Sequence, residues 1–296
     1  MPRLLVFGTG SVGGLYTYII DRGGGEATCV CRSNYAEVKA HGIRIESSIL
    51  GNCIANPHVV RSVDEALSSS QQPFDFVVNG LGIEERYHRA FPGAPIISGV
   101  AYAPTTQTSP GVFLHSEMER LHLGLYDTDR SSTAIKVLES FVSLIRRGGG
   151  TAILENDIQI ERWRKIVANG AINPICALSR CRDGQLMKVA PLAFDLLKKV
   201  MLEIVAVAEA EGYGHVVSPE TVEAQLARSL GRPFPGVQPS MMADALNGRQ
   251  LEVEAIVGRI VEIGRSKQVE IPRLETLFVL LQGLDTALQI GVDGEI

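Results

Sequence analysis

"RLLVFGTGSVGGLYTYIIDRGGGEATCVCR", residues 3–32, decides how the first half of this chain is built. An apolar run over 3–8 ends on glycine, a helical pattern follows over 11–23, and a second apolar run covers 26–32. Strand, helix and strand joined by such short links make a βαβ unit with parallel strands. The first turn carries Gly8, Gly10 and Gly13 in the spacing G-x-G-x-x-G. That pattern is weak alone and gains meaning because it leaves a strand and opens a helix. Gly8 permits the tight turn, Gly10 lets a pyrophosphate approach the backbone, and Gly13 lets the helix pack on the strand. The helix start at Ser11 and Val12 then offers free N–H groups and a positive dipole to phosphate. Gly8, Gly10, Ser11, Val12 and Gly13 are therefore the expected cofactor-binding residues, against the simpler reading of a glycine-rich turn with no ligand.

The end of the second strand selects the cofactor. An NAD site places Asp or Glu there for the ribose hydroxyls, whereas this chain has Arg32 followed by Ser33 and Asn34. A guanidinium at that point suits a 2′-phosphate, so NADPH is expected. The competing reading is an arginine solvated at a strand end.

Working outward, 74–79, 94–100 and 151–156 read as further strands, and the alternation with helices predicts a mostly parallel, doubly wound sheet. From 158 onward the period changes, with helical patterns over 158–179, 190–212, 218–229, 239–265 and 272–289, separated by Gly and Pro. The expectation is an α/β, Rossmann-type dinucleotide-binding domain at 1–156 followed by an all-helical domain at 157–296.

The totals exclude several classes. With 45% hydrophobic and 21% charged residues the composition is that of a globular protein. A net charge of −5 without a basic run argues against a nucleic-acid surface. The apolar stretch at the N-terminus is too short for a signal-peptide core, and no run has the length of a membrane span. Five cysteines without a Cys-x-x-Cys pair, and six scattered histidines, predict a reduced, cytoplasmic chain without a metal site. The apolar run 274–288 fits either a homodimer contact or packing within its own domain.

The run "ERWRKIVANGAINPICAL", 161–178, carries the chemistry. Lys165, Asn169 and Asn173 recur at steps of four, forming one polar ridge on a helix otherwise rich in apolar residues. Pro174 is expected to kink or restart that helix near Asn169–Asn173. The lysine can protonate a carbonyl oxygen as hydride arrives, and the amides can bind a small-molecule substrate. A solvated helix face is the plainer reading, but asparagine is a poor helix former and two in one row weigh against it. Downstream, in 239–256, Ser240 can cap a helix running to about 265, with Asp244 in its first turn and Glu252 and Glu254 amid apolar residues. A glutamate so placed faces solvent as readily as a site.

The glycine loop with Arg32, "W-R-K-x-x-x-N-x-x-x-N-P" at 163–174 and "S-M-x-x-D…L-E-V-E" at 240–254 together resemble the ketopantoate reductase family, over nearly the whole chain. Stretches such as "GIEERYHRAFPGAPIISGVAY" resemble fungal members in particular, many of which act on unknown substrates. The resemblance implies NADPH-dependent reduction of 2-dehydropantoate or a related 2-oxo acid in a cleft between a Rossmann domain and a helical domain. It implies Lys165 as general acid and Glu252 as the residue that binds substrate and orients the lysine. Asn169, Asn173 and Ser240 would bind the substrate's hydroxyl or carboxylate, Asn79 would lie near nicotinamide and substrate, and Gly8, Gly10, Gly13 and Arg32 would hold NADPH.

One departure stands out. After Val78 the chain runs straight into "NGLGIEE", where the family has a lysine-bearing turn, a helix and another strand. About thirty residues, one strand–helix crossover, are missing, which would displace Asn79 by up to one strand spacing of ~4.8 Å. The sheet is expected to close with 74–79 as a strand, 82–91 as the crossover helix and 94–100 as the next strand. Two readings stay open: a reductase with a trimmed cofactor pocket, or a non-redox enzyme of natural-product metabolism (a dehydratase, isomerase or cyclase) using the same polar cleft.

Overall fold

The computed structural model describes residues 1–69, 74–78, 89, 94–126 and 131–290. They form two compact units, Met1–Ile158 and Gln159–Ile296. In the first, β1 (Arg3–Phe7), α1 (Ser11–Arg22) and β2 (Glu26–Val30) are the βαβ unit. They are followed by α2 (Tyr35–His41), β3 (Ile43–Ser47), β4 (Gly51–Ala55), β5 (His58–Val60), α3 (Val63–Ser69) and β6 (Phe76–Val78). Next come β7 (Ile97–Tyr102), β8 (Thr105–Ser109), β9 (Val112–His115) and β10 (Arg120–Leu125). The unit ends with α4 (Ser132–Arg147) and β11 (Ala152–Leu154).

β1 is central to a parallel ladder ordered β5-β2-β1-β6. Its apolar run is continuous because both faces are covered. Leu4 and Val6 join Leu15, Ile19 and Ile20 of α1, while Leu5 joins Val30, Val60 and Ala66 on the other side. That is the Rossmann-type arrangement expected.

The remaining strands were less legible. Among the described residues they make two further ladders, β11-β10-β7 and β4-β3-β9-β8. β4 and β8 are short, polar and mostly exposed, so no alternating pattern announced them. The expected closure of the sheet is also corrected: β7 does not continue the parallel ladder but pairs antiparallel with β10, from Tyr102↔Arg120 to Ile97↔Leu125. Of the crossover helix expected over 82–91, only residue 89 is among the described residues, and Asn79 lies outside them.

The second unit is helical: α5 (Ile158–Ser179), α6 (Asp183–Val189), α7 (Ala193–Ala210), α8 (Pro219–Leu230), α9 (Ser240–Leu246), a π-turn (Glu254–Gly258), α10 (Arg259–Ser266) and α11 (Pro272–Ile290). Trp163, Val167, Ala171 and Ile175 of α5 pack with Leu197, Met201 and Ile204 of α7, and with Ile260, Leu274 and Leu281.

Three helical expectations need revision. The pattern over 190–212 starts instead at Ala193, because Pro191 interrupts it and 183–189 forms a separate helix. The pattern over 239–265 is broken after Leu246. There Gly248 turns left-handed at φ +63, and Arg249 N–H donates to the Asp244 carbonyl at 2.9 Å, a Schellman-type stop. Pro174 does not restart α5, which runs from Ile158 to Ser179 with the proline inside it.

α11 begins at Pro272 and buries Leu274, Leu277 and Leu281, while Val279 and Leu280 on its other face stay exposed. Its start is tied to α7 by Glu203, a buried carboxylate that accepts from Leu274 N–H at 2.9 Å and from Arg273 N–H at 3.1 Å. Arg273 Nη1 donates to the same group at 2.9 Å. A carboxylate there satisfies helix N–H groups that would otherwise be orphaned. Glu203→Ala is expected to lower stability by about 1–3 kcal/mol, the cost of leaving buried donors unpaired, seen as a lower thermal midpoint in circular dichroism.

Candidate active site

The glycine loop of the first unit is built by close approach. Gly8 adopts φ +95, a conformation open to glycine. A Cβ on Gly13 would collide with the Gly8 carbonyl oxygen, so α1 sits directly on the turn that precedes it. Gly10 is the N-cap of α1, with no side-chain cap and no acidic residue in the first turn. Ser11 is half-buried and Val12 is 43% exposed. A helix start without a capping side chain or a carboxylate fits a phosphate group, which its N–H groups would hold.

Sequence reading missed what holds this loop from behind. Thr9 is buried, its hydroxyl donating to the Val30 carbonyl at 3.0 Å. Asn34, also buried, donates to the Thr9 carbonyl at 3.3 Å and accepts from Gln107 Nε2 at 2.8 Å. One amide therefore links the loop, the end of β2 and β8. The position of Asn34 two residues after Arg32 was visible in the sequence, but its partner on a strand 73 residues away was not. Arg32 is exposed, its guanidinium 5.7 Å from the centre of the Phe7 ring.

In the second unit, α5 carries the polar ridge beside its apolar side. A Cβ on Gly170 would meet Ile204 at 2.9 Å and Ile260 at 3.0 Å, so α5 packs tightly against α7 and α10 there. Lys165 and Asn169 are half-buried, and Asn173, expected to be an exposed amide, is only 5% exposed. Asn173 makes no side-chain hydrogen bond among the described residues, and its amide is not among the fully buried polar atoms.

Burial pushes the Lys165 ammonium pKa below its ordinary value, and the negative charge of Glu252 works against that shift. Glu252 is shifted the other way. Partial desolvation raises its carboxyl, the charge of Asp244 adds to the rise, and Lys165 opposes it. Although Glu252 keeps much of its surface open, the ammonium and the carboxylate are close enough to act on each other. Asp244 is itself held by Arg249 Nε at 2.8 Å. Ser240 is exposed and is the first residue of α9. It is not the cap: Pro239 holds that position. Lys165, Asn169, Asn173, Ser240 and Glu252 thus all belong to the helical unit, and the glycine loop and Arg32 to the other.

A glycine-loop βαβ ladder followed by a helical unit with a desolvated lysine defines a dinucleotide-binding protein of the oxidoreductase class. Sequence comparison makes this specific. The profile of ketopantoate reductase PanE/ApbA matches 4–78 and 76–128, and that of its C-terminal domain matches 157–285. The chain belongs to the ketopantoate reductase family. The N-terminal match falls in two pieces that overlap at 76–78. A 2-dehydropantoate 2-reductase of Nostoc sp. is 26% identical, covering 98% of this chain and 97% of its own. The crystal structure of a 2-dehydropantoate 2-reductase from Methylococcus capsulatus superposes with a TM-score of 0.80 at 29% identity, covering 99% of this chain and 100% of that one. One from Geobacter metallireducens gives 0.83 at 25% identity, over 95% and 99%. Among the described residues no helix is long and apolar enough to cross a membrane.

The collision at Gly13 gives a ligand-free test. Gly13→Ala must push two backbone segments apart and is expected to destabilise the protein by about 1–3 kcal/mol. Gly10→Ala, with open space where the methyl would go, should leave the thermal midpoint nearly unchanged.

Proposed function

We propose that this protein is an NADPH-dependent reductase of a 2-oxo acid or related ketone, with Lys165 as the general acid. The observation that carries the reading is the half-buried lysine beside Glu252, on the helix that also carries Asn169 and Asn173. A partly desolvated ammonium acted on by a carboxylate is the kind of pair that serves a site. Further support comes from full-length similarity to enzymes named 2-dehydropantoate 2-reductase.

NADPH, when bound, supplies the hydride that reduces the substrate's carbonyl carbon. Gly8, Gly10, Ser11, Val12 and Gly13 hold its pyrophosphate through backbone N–H groups, and Arg32 favours the 2′-phosphate. As negative charge grows on the carbonyl oxygen, the Lys165 ammonium gives it a proton and becomes a neutral amine, which solvent reprotonates. A lowered pKa suits that role, because it makes the ammonium a stronger acid toward the charge that grows on the carbonyl oxygen. Glu252 keeps the lysine charged and oriented between turnovers. Asn169, Asn173 and Ser240, with Asn79 proposed to join them, bind the carboxylate and the emerging hydroxyl. We propose the division of labour 1–156 for cofactor and 157–296 for substrate, acting in the cytoplasm.

Two outcomes follow. Lys165→Ala should lower kcat by about 10²–10⁴ with cofactor binding retained; undiminished turnover in a steady-state assay would remove the assignment. The pH profile carries a sign as well. Activity requires protonated Lys165, so it should fall as pH rises through a pKa below that of free lysine. Because the charge of Glu252 holds that pKa up, Glu252→Gln should move the alkaline limb of the kcat profile to lower pH.

A further inference from the structure

A second cationic element stands one strand away from Arg32. β2 and β5 pair in parallel through Val30↔Val60, and Cys31 N–H donates to the Val60 carbonyl at 2.9 Å. Arg32 and Arg61 therefore leave the same end of adjacent strands, two residues and one residue beyond that last rung. Between them stands Tyr35, the first residue of α2. The Arg61 guanidinium lies 4.0 Å from the centre of the Tyr35 ring. Lys39 Nζ lies 5.1 Å from the same centre and donates to the Tyr35 hydroxyl at 2.8 Å. Lys39 and Arg61 share the Tyr35 ring. Lys39 is shifted up chiefly by its hydrogen bond to Tyr35, while the charge of Arg61 works against it.

The support of this cluster is aromatic, as it also is for Lys188 over Phe234. Other arginines, among them Arg164, Arg232, Arg249, Arg259, Arg265 and Arg273, rest on carboxylates. Arg32, Lys39 and Arg61 rest on aromatic rings, and among the described residues none is in an ion pair. The nearest acid, Glu65, is occupied in starting α3: it accepts from Arg61 N–H at 2.7 Å, and its own N–H donates to Ser62 at 3.1 Å. A ring holds a guanidinium flat without consuming its N–H donors, leaving the fork open to a planar or tetrahedral anion.

We propose that Arg61, held flat by Tyr35, is the second specificity-determining cation for the 2′-phosphate of NADPH, acting with Arg32. The inference rests on the NADPH reading above and adds the residues that make it selective. One exposed arginine gains little against a dianion in water, whereas a second guanidinium leaving the same end of the adjacent strand offers it another charged contact. Lys39 fixes the ring through its hydroxyl and adds positive potential without needing direct contact.

The test is a fluorescence titration of the intact protein with NADPH and NADH at fixed ionic strength, for wild type, Arg32→Ala, Arg61→Ala and Tyr35→Leu. Arg61→Ala should weaken NADPH about tenfold, the scale of one charge-assisted contact, and change NADH less than about twofold on that same scale. Tyr35→Leu, which keeps the cation but frees it, should give a smaller loss confined to NADPH, with its thermal midpoint recording that the fold survives. If Arg32→Ala loses NADPH selectivity while Arg61→Ala keeps it, or if Arg61→Ala weakens both cofactors equally, Arg61 is not the second cation and the reductase reading stands. If wild type binds NADH as tightly as NADPH, the NADPH reading and this proposal both fall.

Discussion

The backbone contact between Gly13 and Gly8 is the constraint on which the first unit depends. α1 lies so near the turn leading into it that a methyl group does not fit. The same closeness recurs along this helix. A Cβ on Gly14 would meet the buried ring of Phe113 at 2.8 Å, and one on Gly23 would collide with the Leu144 carbonyl of α4. α1 is thus packed nearly backbone to backbone against its loop and α4, and directly against the Phe113 ring of β9. Helix and loop have little room to move independently, so N–H groups aimed at a phosphate are fixed before any ligand arrives.

The second unit solves a different problem, which is to keep an ammonium partly out of water. Lys165 and Glu252 are each shifted toward their neutral forms by desolvation and toward their charged forms by each other. Opposed effects of this kind bring an acid and a base closer in pKa than either is in water. Asn173 adds an amide in a largely buried residue on the same helix.

How much of this was legible depended on whether the signal was local. β1, α1 and β2 could be read because apolar runs, glycine spacing and helical period all lie within thirty residues and agree. α5 was read over its full span for the same reason, and the family motif around Lys165 singled out its polar ridge. β3, β4, β8 and β9 were not read, because β4 and β8 bury little on either face and the ladder is completed by β9, far along the chain. The break after Leu246 hid inside a good periodicity: only the left-handed turn at Gly248 shows where it stops. Arg61 escaped notice because nothing in its own neighbourhood marks it. It matters only once β5 is paired beside β2.

By itself the sequence determined the class of fold, the glycine loop, the cation at the end of β2 and the lysine–asparagine ridge. Each is a pattern of residue types at fixed spacing on one element, and spacing on one element converts directly into a face. The tertiary structure alone decided that Asn173 is largely buried, that Asn34 and Gln107 brace the loop, and that Arg61 rests on Tyr35 one strand from Arg32. Those facts depend on which strands become neighbours and how much water is excluded, and neither is encoded within any single stretch of the chain.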